Sequence, residues 1–352
     1  MSAPDPRRRC LKLEEWPASH RAAWEVAMAR KGRRFSTRGS AAHLADKSIE
    51  KTGDGYGRWL GFLSWHGLLR EEVGPAELVT PELADRYFDE LIALGNADYT
   101  VVGRFDELAG AMRILVPSGD FRWLQSPGGV SLRNQLDMRK RQFTVHHAAE
   151  IRDWGIGMMR EALEERGPRR RQVMLRDGLL IAIFATRGMR LRSMAALRLG
   201  HQVAQDSAGT WSIALDEEDV KTGRPIAYPL SPSLQSWMTR YVEVERRELL
   251  AGKESDAFWV NWGGEALGIR GIDKRIRWRS EKHYGSGAVF GPHRLRHDVG
   301  TTGSAMDPEG LGGAVEMLGI SAPVYHKHYN RGKGLEAAAR FHDALRKARE
   351  KE

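Results

Sequence analysis

Gly291-Pro292-His293-Arg294-Leu295-Arg296-His297-Asp298, with Tyr325-His326-Lys327-His328-Tyr329 further on, is the stretch on which the reading of this chain turns. Two imidazoles and two guanidiniums fall within five positions. On a helix that begins after the Gly-Pro pair, His293, Arg296 and His297 share one face at i, i+3 and i+4. A guanidinium offers a phosphate oxygen a fixed bidentate donor, and an imidazole offers a group that changes protonation near neutrality. A downstream tyrosine supplies an oxygen nucleophile. The pattern points to phosphoryl transfer at a phosphodiester without a metal.

Composition agrees with a polyanionic partner. Lys and Arg number 55 against 46 Asp and Glu, a formal charge of +9 over 352 residues. Such an excess favours nucleic acid, because each phosphate neutralised releases counterions. The single cysteine, Cys10, excludes an intrachain disulfide and a cysteine-built zinc site. The longest apolar run, Gly178 to Ala185, falls far short of the roughly twenty residues of a membrane span. Arg7-Arg8-Arg9 has no apolar stretch behind it and does not read as a secretory signal, so a reduced cytoplasmic setting is expected. His326 and His328 near His297 have no carboxylate or cysteine at ligand spacing, so no metal site is expected.

Outward from that stretch, the chain reads as two domains of size sufficient for separate cores. Residues 1–40 are basic and broken by prolines, and are expected to form an arm with one helix from Ala18 to Ala29. A helical domain is expected over 41–126. Its clearest helix has Thr80 as cap, Pro81 in the first turn, Leu83, Tyr87 and Leu91 on one face, and Gly95 at the end. Val101, Phe105, Leu108, Met112 and Leu115 mark another. Ser126-Pro127-Gly128-Gly129 opens a basic linker, 127–142, carrying Arg139-Lys140-Arg141 as candidate DNA contacts.

The second domain, 143–352, is expected to be mainly helical with a small antiparallel β-sheet. Arg169 and Arg170 lie in a basic turn before a helix that reads as apolar nearly all round from Val173 to Thr186. Arg190 follows Gly188 at a joint near the next helix start, a place suited to an anion. Trp211 to Leu215 alternates as a strand, and Lys221 sits near a turn before Ile226 to Leu230. A helix over 231–250 follows. Arg275 and Arg277 flank the aromatic Trp278 in a helix over 269–282, which suits a nucleic-acid backbone. A charged helix from Leu335 to Lys351 closes the chain.

Taken in order, Arg190, Lys221, His293, Arg296 and Tyr329 resemble the site of the tyrosine recombinases, the phage-integrase family of site-specific DNA recombinases. Gly188-Met189-Arg190 with Leu191 to Leu197 resembles the family's first arginine box, and Lys221-Thr222-Gly223-Arg224 its β-hairpin lysine turn. His293-Arg294-Leu295-Arg296 matches the His-x-x-Arg box. Leu318-Gly319, ten residues before Tyr329, matches the approach to the nucleophile. The helical domain over 41–126 is similar to the family's core-binding domain, and 143–352 to its catalytic domain. Two positions depart from the pattern. Ser193 stands where the family usually has an acidic residue, and Ile320 stands where it usually has histidine or tryptophan. An isoleucine donates no hydrogen bond, and the loss of one such donor costs on the order of 3 kcal/mol of transition-state stabilisation.

The resemblance implies cutting and rejoining of DNA through a 3′-phosphotyrosyl link at Tyr329, with no metal and no nucleotide cofactor. It implies double-stranded recombination sites as substrate, a homotetramer on DNA from a chain that is monomeric alone, and accessory DNA-bending or directionality proteins. The cytoplasm, on the nucleoid, is the implied location. Tyr325 competes with Tyr329 for the nucleophile's role, and counting from Leu318-Gly319 favours Tyr329. Two other readings stay open: a silent DNA-binding protein of the same fold, and a type IB-like topoisomerase.

Overall fold

Helix α2, Asp46–Trp65, carries glycines at 53, 55, 57 and 61, which weaken a helix in isolation. The computed structural model shows what they are for. A Cβ on Gly57 would stand 2.3 Å from the Leu11 carbonyl oxygen, and one on Gly61 would stand 2.2 Å from that of Arg9. The N-terminal segment lies directly on α2, and Leu11 N–H donates to the Gly57 carbonyl at 2.9 Å. The structure describes residues 5–29, 39–138, 144–218, 225–306, 315, 318–323 and 325.

Two units divide the chain, Met1–Arg141 and Gln142–Glu352. In the first, α1 (Ala18–Met28), α2, α3 (Pro81–Ala93) and α4 (Asp98–Leu115) surround an aromatic core. Trp59 and Phe62 of α2 meet Tyr87 of α3, which meets Phe105 of α4. Thr80 caps α3 as expected, accepting from Leu83 N–H at 3.4 Å. The arm expected over residues 1–40 is corrected for 5–29: Leu11, Trp16, Trp24 and Ala27 are buried in this core. Burial of two indoles outweighs the basic composition that suggested a tail. The expected linker also begins too early, because Leu132 is buried with the same core and its N–H donates to the Gln125 carbonyl at 2.9 Å. Arg139, Lys140 and Arg141 lie outside the described residues.

The second unit starts from the helix pair α5 (Ala148–Glu164) and α6 (Pro168–Arg187). They cross where glycines face each other: a Cβ on Gly178 would stand 2.6 Å from the Gly155 carbonyl oxygen. After the short α7 (Leu191–Ala195) come β1 (Val203–Gln205), β2 (Trp211–Leu215) and β3 (Ile226–Pro229). The sheet is antiparallel in the order β1-β2-β3, with Ile213 opposite Val203 on one side and Tyr228 on the other. Three residues of β1 are too few for an alternating signal, so only β2 and β3 were expected. The helix expected over 231–250 is α8 (Pro232–Arg240), a π-helical turn and α9 (Arg246–Leu250). Helices α10 (Ile269–Tyr284) and α11 (Pro292–Met306) follow. The fold class is as expected, mainly α with a small antiparallel sheet. No helix among the described residues is long and apolar enough to cross a membrane.

Candidate active site

Helix α6 ends at Gly188, whose φ of 52° is left-handed and whose N–H closes the helix on the Phe184 carbonyl. A side chain there fails twice, since a Cβ would also stand 2.7 Å from Leu318 Cδ2. The turn delivers Arg190, half-buried, to the start of α7. That helix has only five residues, so the end-charge advantage expected at the joint is small.

Helix α11 carries the second box. Its approach is tight: a Cβ on Gly291 would meet Asp273 Oδ1 at 2.8 Å and Arg277 Nη2 at 2.9 Å. His293 is exposed and His297 half-buried, with their Nε2 atoms 3.2 Å apart, so one ring donates and the other accepts. Arg296 turns inward and is only 6% exposed. Its Nη1 donates to the Gly188 carbonyl at 2.5 Å and its Nη2 to the Leu318 carbonyl at 2.6 Å. One guanidinium thereby joins the loop before Arg190 to the turn that leads toward Tyr329.

Strand β3 reaches the same place. A Cβ on Gly319 would stand 2.9 Å from Ile226 Cδ1, and Arg187 lies over the Tyr228 ring at 4.0 Å while donating to the Pro229 carbonyl. Ile226 opens β3, five positions after Lys221 in the sequence. Lys221 and Tyr329 themselves lie outside the described residues. The structure thus brings together Arg190's loop, Arg296, Leu318-Gly319 and the start of β3, with His293 one turn before Arg296 on α11.

The two doubtful positions have clear surroundings. Ile320 packs with Val299, Leu318 and Tyr325 in an apolar cluster. Tyr325 is fully buried and its hydroxyl donates to the Gly300 carbonyl at 2.7 Å, a structural bond within this cluster. Ser193 is buried within α7.

Asp298, one position past His297, was not anticipated. It is fully buried, and its Oδ1 accepts from Arg294 Nε at 2.9 Å and from His146 N–H at 3.4 Å. Its Oδ2 has no hydrogen-bond partner among the described residues. Burial pushes the carboxyl up to about 6, against the opposing pull of Arg294.

The remaining sequence candidates form a second region around α6 and α10. Arg275 donates from Nε and Nη2 to Asp177 Oδ2 at 2.9 and 2.5 Å, and Arg279 Nε joins it at 2.8 Å. Arg176, fully buried, holds the other oxygen at 2.7 Å. Burial opposes ionisation of Asp177, yet the three guanidiniums hold it down at about 2. Arg277 pairs with Asp273 at 2.8 Å, Arg170 with Glu165 at 2.9 Å, and Arg169 lies 3.7 Å over Trp262. The buried Arg176-Asp177 pair interrupts a helix expected to be apolar nearly all round. Adjacent charges inside an apolar run were the available signal, since buried charges need partners.

The fold is that of the tyrosine recombinases, the family whose motifs the sequence resembles. The solved Tn1549 transposon integrase in complex with transposon right end DNA superposes with a TM-score of 0.58 at 13% identity, over 91% of this chain and 98% of that one. The XerH site-specific recombinase bound to a palindromic difH substrate gives 0.56 at 17% identity, over 83% and 79%. Among curated proteins, a tyrosine recombinase XerD of Ralstonia nicotianae is 24% identical over 273 residues, covering 74% of this chain and 77% of the relative. A XerD of Staphylococcus epidermidis is 28% identical over 148 residues, 37% of this chain. The chain spans about half the length of that relative, 48%. No family model matches the chain.

Proposed function

We propose that this protein is a site-specific DNA recombinase that cuts and rejoins duplex DNA through a 3′-phosphotyrosyl intermediate. The observation that carries the reading is the convergence on Arg296 of Arg190's loop and the Leu318-Gly319 turn, with His293 one turn away on the same helix. Tyr329 attacks the scissile phosphorus, its phenolic oxygen bonds to the 3′-phosphate, and the 5′-oxygen leaves. Lys221 gives that oxygen its proton, and His293 assists removal of the tyrosine proton. Arg190 and Arg296 balance charge on the non-bridging oxygens as it grows. An incoming 5′-hydroxyl reverses the step on a new strand. The phosphodiester's free energy stays in the tyrosyl ester, so the reaction consumes no nucleotide. Tyr329 is favoured as nucleophile because the Tyr325 hydroxyl is buried and bonded to the main chain.

Exchange between two duplexes requires four cleavages, which makes a tetramer on DNA the working form. Arg139, Lys140, Arg141, Arg169, Arg170, Arg275 and Arg277 supply backbone contacts, accessory DNA-bending or directionality proteins set the outcome, and the cytoplasm is the site of action. The test is a nicked suicide duplex, in which cleavage releases a short strand and traps the protein on DNA. A trapped adduct in the wild type and none in Tyr329→Phe is the expected result. No adduct in either, with DNA binding retained, contradicts it and favours the silent DNA-binding protein. Ile320 motivates that second reading, because it packs into an apolar cluster where the family carries a donor.

A further inference from the structure

Away from the Arg296 centre, a cleft of about 450 Å³ opens between the start of α6 and the loop after Val260. Its walls include Arg169, Arg170, Val173, Asn261, Trp262 and Arg275, with Arg176 also lining it. Among the described residues, every charged side chain that lines it is an arginine. Trp262 is 51% exposed, an unusual position for an indole unless something covers it. The Arg169 guanidinium already lies over that ring at 3.7 Å.

The chemistry of this cleft is doubly selective. Arg275, Arg279 and Arg176 surround the one carboxylate of Asp177, so positive charge is in excess at its margin among the described residues. Arg275 is held in place by that carboxylate and lies 4.6 Å from the Trp278 ring. A fixed guanidinium suits a phosphate better than a mobile one, because less freedom is lost on binding. Among the described residues, Arg170 pairs with Glu165, while the single charge of Asp177 is shared by Arg275, Arg279 and Arg176, so the net positive charge presented to a ligand lies at Arg169 and Arg275. An indole and a guanidinium both present flat faces on which a nucleobase stacks. The volume lies within the range of pockets for single small ligands and is far too small for a duplex.

We propose that this cleft is a binding site for an unpaired nucleotide of single-stranded DNA, with the base against Trp262 and Arg169 and its phosphate against Arg275. The inference rests on the recombinase reading for its biological sense, since strand exchange passes through unpaired segments. Its physical claim is separate from cleavage. Stacking is indifferent to base identity, so the site selects strandedness and not sequence.

The experiment uses the full chain as Tyr329→Phe, which removes any cleavage, with fluorescence anisotropy of a labelled oligothymidylate and of a labelled duplex. Trp262→Ala is expected to weaken single-strand binding about tenfold, within the usual range for one lost base–aromatic stack, and to change duplex binding less than twofold. Trp262→Phe should restore most of the affinity. Trp262 is half-exposed, so these variants should melt with the parent. An equal loss on both substrates, or no loss on the single strand, overturns the proposal. The suicide-duplex assay reads the recombinase claim alone. A protein that traps no adduct and still loses single-strand binding in Trp262→Ala keeps the cleft while losing the recombinase.

Discussion

Arg296 donates to the carbonyl oxygen of Gly188 at 2.5 Å, a contact that links positions 108 residues apart. With the second bond to Leu318, the side chain sets the spacing between the loop that bears Arg190 and the turn before Tyr329. A buried charged donor of this kind is expensive to remove, because two buried carbonyls lose their partner together.

Arg296→Lys keeps the charge but cannot bridge two carbonyls in a fixed plane. We expect stability to fall by about 2 kcal/mol in urea unfolding. Cleavage should fall at least roughly a hundredfold, the scale for loss of a positioned transition-state donor. The exposed neighbour Arg192, changed to Lys, should leave both readings near wild type.

Tyr325→Phe removes a buried hydroxyl that donates to Gly300 at 2.7 Å. Loss of that bond should cost about 1 kcal/mol, while cleavage survives. A Tyr325→Phe protein that folds normally and forms no adduct contradicts the assignment of Tyr329.

Ile320→His places a donor where the chain now has a hydrocarbon. If the missing donor limits the rate, single-turnover cleavage should rise by roughly tenfold to a hundredfold. Stability should drop by about 1 kcal/mol, because an imidazole replaces an aliphatic side chain beside Val299 and Leu318. An unchanged rate means that another group already serves, and His297, at 3.2 Å from His293, is the first to test.

Asp298 makes stability depend on pH in a defined direction. Its folded-state pKa is raised to about 6 from 3.8, so the folded protein holds this proton more tightly than the unfolded chain. The contribution is complete below about pH 4 and is lost as pH rises through about 6, an effect of roughly 3 kcal/mol in this simple linkage. Asp298→Asn should remove that slope from denaturant midpoints measured between pH 4 and 7. A slope unchanged in the variant assigns it to another group.

The local settings of Arg190 and Arg296 were legible because Gly188 ends one helix and Gly291-Pro292 opens another. The helices of the first unit were legible too, since Thr80, Leu83, Tyr87 and Leu91 carry both cap and stripe. What escaped depends on tertiary contact. Glycines 57 and 61 look like helix defects until the N-terminal segment is laid upon them, and Trp16 and Trp24 then turn an apparent arm into core. Arg275 was expected on the surface because its helix is basic, but its partner Asp177 lies 98 residues away. Tyr325 and Tyr329 are alike in sequence, and burial and hydrogen bonding distinguish the first as structural.

The most direct measurement is to trap the protein on a suicide duplex, digest it and identify by mass spectrometry the peptide that carries the nucleotide. The expected product is a 3′-phosphate ester on the phenolic oxygen of Tyr329, formed without added metal or nucleotide and lost in Tyr329→Phe. A nucleotide on Tyr325 or on any other side chain, or DNA that is bound and never covalently joined, would contradict it.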